Sequence, residues 1–243
     1  MSKQFFLLLL VLAGYLVKAQ LALYVESGAA TFGYNDVRIS GKDGTTFSLS
    51  KNFNSKISPF FRARINYAFG KRHTVSALYA PLTLSSEGVL SKDVYFQGQL
   101  FTSGKKAEYT WKFNSYRLSY QYNLVMRDKF LFAIGLTAKI RDAKIALRNQ
   151  TTFAEKTNLG VVPLIRVYTE WKFAEQFNLI LDGDALVGKQ GRAEDVFLGF
   201  GYTPFNHLRV KAGYRLLEGG ADNDEVYNFS AVHYGVIGAI WTF

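Results

Sequence analysis

The chain has no cysteine, only four prolines and, beyond its first nineteen residues, no continuous apolar run of helix-spanning length. Without cysteine there is no disulfide, no thiolate metal ligand, no cysteine nucleophile and no acylated lipoprotein start. A membrane-spanning helix needs about 20 apolar residues, so residues 20–243 hold no helical anchor. Histidine is scarce as well: His73, His207 and His233 are all there are for acid–base work. No Pro/Gly/Ser-rich linker or shift of composition divides the 243 residues, which read as a leader followed by one domain.

What is plentiful is aromatic and turn-forming. Phe, Tyr and Trp make up 16% of the chain, which also has 21 glycines, a composition that favours strands separated by turns. Residues 1–19 carry Lys3, an apolar stretch from Phe5 to Val17, and Ala19 before a cut at Gln20. That three-part form is the form of a secretory signal peptide. Its removal takes Lys3 and Lys18 from a formal net charge of +10. Residues 20–243 then form the mature domain, whose nearly neutral hydropathy and regular alternation together fit a β-barrel in a membrane.

The alternation is plainest in the last seventeen residues. Phe243, Trp241, Ala239, Ile237 and Gly235 share one face, and an unpaired hydrophobic strand of this kind invites aggregation unless a barrel closes on it. Phe243 at the end, with Trp241 two before it, resembles the C-terminal signal by which bacterial outer-membrane barrels are recognised for insertion. The resemblance covers one strand. It implies a Gram-negative outer membrane, the barrel insertion machinery and outer-membrane lipid as partners, and says nothing about activity.

Taken in order, the chain gives ten strands of an antiparallel up-and-down barrel, an even number as single-chain bacterial barrels have. Eight or twelve are the alternatives, because Ser85 to Lys106 can form an extra hairpin. The first strand, Leu21–Ile39, is loosely patterned and interrupted at Gly28-Ala29-Ala30; Gly41–Lys56, rich in Ser, Thr, Asn and Lys, reads as an exposed loop. In the fourth, Tyr109, Trp111 and Phe113 share odd positions whereas Tyr116, Leu118 and Tyr120 share even ones. A bulge is therefore expected near Asn114-Ser115, where one added residue restores the face. Tight turns near 70–73, 126–129, 174–176 and 204–207 belong on the periplasmic side, and the longer loops outside.

Arginine on the lipid face costs about 2–4 kcal/mol near the midplane. The charges opposite the apolar faces must therefore point into the lumen: Arg62, Arg64, Arg117, Lys139, Arg141, Arg166, Lys172, Arg209, Lys211 and Arg215, against Glu170, Asp182 and Asp184. Such an interior is either a salt-bridge network that holds a narrow barrel shut or an anion-attracting conduit, and ten strands are few enough for side chains to occlude it. The reading that follows is a non-enzymatic, structural or surface-acting barrel. The alternatives are a porin-like anion-preferring channel and a lipid-modifying enzyme of the lipid A deacylase kind.

For the enzyme, His233 on the last strand is the best-placed histidine, though a triad also needs a hydroxyl and an orienting carboxylate. His73 with Ser76 superficially resembles the deacylases' His-x-Ser but has one residue too many, and it falls at a periplasmic turn. Asp222, Asp224 and Glu225 in an acidic loop are weak calcium candidates without EF-hand spacing. No cofactor is expected. Lys42, Lys51, Lys56, Lys92, Lys105 and Lys106 of the outer loops suit lipopolysaccharide phosphates, whereas no recognition motif for nucleic acid accompanies the high pI.

Overall fold

A computed structural model describes residues 20–189 and 191–243; the expected signal peptide, residues 1–19, lies outside the described residues. Ten strands close a barrel: β1 (Gln20–Ile39), β2 (Ser58–Phe69), β3 (His73–Ala80, continuing as Thr83–Val89), β4 (Lys106–Arg127), β5 (Phe130–Arg148), β6 (Phe153–Lys172), β7 (Phe177–Gly188), β8 (Gly191–Phe205), β9 (Leu208–Asp222) and β10 (Val226–Thr242). Each strand pairs antiparallel with the next, and β1 pairs with β10 from Ala22↔Thr242 to Ile39↔Val226. The ladder has no first or last member, so the hydrophobic final strand is nowhere left as an edge.

β3 is one strand despite Pro81. Both halves keep a single register with β4, from His73↔Tyr122 to Val89↔Lys106. Proline has no N–H to give the ladder. Around it the Phe113 amide donates to the Leu82 carbonyl at 2.8 Å and Leu82 donates to Asn114 Oδ1 at 3.2 Å, so the interruption lasts two residues. The tight turn after β2 uses Gly70 at φ +60, a conformation that glycine adopts without a Cβ penalty.

The bulge expected near Asn114-Ser115 is not there. β4 runs in unbroken register from Arg148↔Glu108 to Ala133↔Asn123 and slips only at Leu124. No switch of face is needed, because Tyr109 and Trp111 point inward, each at most 2% exposed, on the same side as Arg117. Likewise β1 passes through Gly28 in register and slips between Phe32 and Tyr34, at Gly33. Its inward residues are even-numbered before that point and odd-numbered after it, which explains the loose pattern.

The inward aromatics belong to a dry core at the long-loop end. The segment expected as an exposed loop tucks Phe47, Leu49 and Phe53 inside. A separate hairpin, Val94–Phe96 with Gln99–Phe101, lies over them; Phe96 meets Phe47 edge-on at 6.2 Å, and Phe32 meets Trp111 at 5.4 Å. Hydrogen bonds from Thr45 N to Tyr95 O (2.9 Å) and from Gln97 N to Ile39 O (3.1 Å) tie this cap to the barrel rim. Outside, an apolar belt that includes Ile65, Leu118, Leu136, Ile165, Leu198, Phe200 and Ile237 is exposed. At the short-turn end it meets a girdle with Tyr120, Trp171, Phe177, Tyr202 and Trp241, the outer surface of a barrel set in lipid.

Candidate functional site

The lumen is crossed at mid-height by a layer of buried charges. Glu26 receives Arg62 at 3.2 Å, Arg215 at 3.0 Å and the Lys211 ammonium. Asp195 receives Arg62 at 3.1 Å together with Arg117 and Arg215. Asp182 binds Arg64 (2.7 Å) and Arg166 (2.8 Å), while Asp184 binds Arg117 (2.6 Å) and accepts the Thr137 hydroxyl (2.7 Å). Removing such ions from water costs several kcal/mol each. Here each carboxylate meets at least two cations, so the cost is shared through a network.

Glu26 and Asp195 were missing from the sequence-derived set. Parity could have found both: Leu23 and Val25 face out, so Glu26 faces in, and Val196 facing out turns Asp195 inward. The layer also holds one ring. Phe197 lies 4.5 Å from the Lys211 nitrogen and 5.4 Å from the Arg215 guanidinium carbon, distances suited to cation–π attraction. Its space comes from the opposed pair Gly199↔Gly213, where an added Cβ would come within 2.5 and 3.0 Å of the ring.

Toward the short turns, Glu170 accepts Arg209 (2.8 Å), Asn178 (2.6 Å) and the Tyr168 hydroxyl (2.8 Å), beside a cavity of about 280 Å³. Lys172, expected in the lumen, is exposed instead: it is the last residue of β6, where the strand has left the barrel interior for the turn. Toward the long loops, Lys139 is buried and Arg141 half-buried beside a second cavity of about 130 Å³. Arg141 donates to Asn158, and the Lys139 nitrogen sits 4.6 Å from the Phe113 ring.

His233 faces outward on β10. Its Nδ1 is hydrogen-bonded to the Tyr214 hydroxyl, and its ring covers Gly33, whose missing Cβ leaves it room. His73 bonds Tyr120 through Nδ1 at 2.8 Å, while Ser76 is buried on the opposite face of β3. His207 meets the Thr242 carbonyl at 3.0 Å. The acidic loop does not gather its carboxylates: Asp222 pairs with Arg38 (3.5 Å) and Glu225 with Lys156 (2.9 Å). Lys156 holds the Glu225 carboxyl below its ordinary range. Among the described residues no group of three His, Cys, Asp or Glu side chains could hold a metal ion.

This arrangement, a closed ten-strand antiparallel barrel with a lipid-ready outer face, is that of the bacterial outer-membrane β-barrels. Solved structures with the same fold include the outer membrane protease OmpT of Escherichia coli, at 10% identity over 93% of this chain and 99% of that one, with a TM-score of 0.51. The transport unit of the autotransporter AIDA-I from Escherichia coli is similar at 8% identity, covering 93% and 91% of the two chains, with a TM-score of 0.50. At such identities the likeness is one of fold. No protein-family model and no curated protein sequence matches the chain.

Proposed function

We propose that the protein is a non-enzymatic outer-membrane barrel, exported behind a cleaved residue 1–19 leader, that does not conduct and acts at the cell surface. The observation that carries this is the ionic layer. The residues of the layer are all buried, and the cavities above and below it are separate. An interior of about 8 strands is filled by side chains, and an aqueous channel appears at about 16–18. Six arginines and lysines braced by four carboxylates fill the slightly wider bore of ten. Exposed lysines at 42, 51, 56, 92, 105 and 106 on the long-loop side suit contact with lipopolysaccharide phosphates.

Planar-bilayer recording of the purified protein tests the closure. The expected result is no current above the empty membrane for the native chain. A steady anion-selective current would refute the proposal.

A further inference from the structure

We infer that the cavity beneath the long-loop mouth binds a small organic oxyanion with a flat apolar body, using Lys139 and Arg141 as cations and the Trp111–Phe113 pair as its platform. Of the lumen cations, buried Arg62, Arg64, Arg117, Arg166, Lys211 and Arg215 and half-buried Arg209 each have a carboxylate at ion-pair distance. Lys139 is 2% exposed, lines the cavity, and has neither an ion pair nor a hydrogen bond among the described residues. A buried lysine that meets the Phe113 face and the like charge of its cross-strand partner Arg117, with no ion pair among the described residues, is incompletely compensated, and an anion entering the cavity would complete it.

Arg141 follows on the same inward face, since inward positions alternate along β5. It spends one terminal nitrogen on Asn158, and its buried Nε has no partner. A guanidinium presents several donors in a fork that matches an oxyanion. One wall is apolar: Trp111 and Phe113 stack with ring centres 5.0 Å apart and planes 1° from parallel, and Ala143, Ile145 and Leu217 line the cavity with them, while the lining carboxylate, Glu218, is engaged by Arg192 at 2.7 Å. Its volume of about 130 Å³ is close to that of an apolar cavity, about 150 Å³, that accepts benzene.

The cavity also has a way in. The cap covers the β1–β4 side of the mouth. On the far side, β7 pairs with β6 only from Ile165↔Ala185 to Lys172↔Asn178, so residues 153–164 of β6 have no strand beside them there. Lys156, Asn158 and Val162 line the cavity from one flank of this notch, Arg192 and Ala193 from the other. Entry is therefore from solution or sideways from a lipid headgroup, and the recognised chemistry is the same. The ionic layer lies deeper in the lumen, beneath this cavity, so this inference rests on the closed lumen proposed above.

The test is calorimetric titration of the full barrel in lipid nanodiscs with benzoate, and with its neutral isostere benzamide. Expected is saturable benzoate binding in zwitterionic discs, at least tenfold tighter than benzamide. Lys139→Met should weaken benzoate tenfold or more and leave benzamide unchanged, and Arg141→Gln, at a half-buried site, should weaken it in the same direction. In discs containing phosphatidylglycerol, benzoate weakened by competition supports a headgroup as the natural source, and undiminished benzoate supports a soluble anion. Equal affinity for benzoate and benzamide, no benzoate binding in zwitterionic discs, or indifference to both substitutions would overturn the site. A barrel that conducts yet binds benzoate refutes only the closure; one that stays closed and binds none refutes only the pocket.

Discussion

Asp195 shows how much hangs on one side chain. It is 2% exposed and touches Arg62, Arg117 and Arg215. Taking its charge away leaves three guanidiniums in a dry interior with one carboxylate fewer, and breaking a buried ion network costs about 3–5 kcal/mol. Asp195→Asn should lower unfolding stability by that order in guanidinium titrations from lipid vesicles. Glu225 makes the contrast. Its carboxyl is held below its ordinary range by Lys156, so the contact is intact above the usual carboxylate range and is lost as the pH falls through the lowered value. The protection factors of the Glu225 and Val226 amides, taken against intrinsic exchange at each pH, should fall under acid while those of β10 below them hold.

At the scale of the element, the cap is a small folded unit on the barrel mouth. Phe96 is fully buried against Phe47, and emptying such a site costs about 3–5 kcal/mol. Phe96→Ala should raise hydrogen exchange in segments 47–53 and 94–101, with the strands at mid-barrel unchanged. Equal loosening of cap and barrel would show the two to be one cooperative unit. The sequence hid this cap. Gly41–Lys56 is polar on average, and its three buried apolar residues are spaced irregularly because a two-residue strand (Phe47–Ser48) runs straight into a four-residue helix (Leu49–Asn52). Tyr109, Trp111 and Phe113 were legible as a set sharing one face, but period-two spacing does not say which face is wet, dry or lipid-facing. The presumption that aromatics face lipid failed where loops made the lumen dry.

For the whole molecule, the outer surface sorts the three tryptophans. Trp171 and Trp241 are 50% and 46% exposed in the short-turn girdle, whereas Trp111 is 2% exposed inside. Brominated lipid should quench native emission strongly and leave a Trp171→Phe/Trp241→Phe double variant almost unaffected; strong quenching of the variant would place Trp111 against lipid and refute the inward face of β4.

The strands, their number, the short turns and the inward arginines follow from alternation, because side-chain direction along a strand is a local property with a period of two. Partnership in the lumen does not. Arg62 meets Asp195 across 133 residues and Arg215 meets Glu26 across 189, distances that only closure of the barrel spans. Closure also decided that Lys139 has no carboxylate at ion-pair distance among the described residues and that a cavity stands beside it, since both depend on where ten strands bring their faces together.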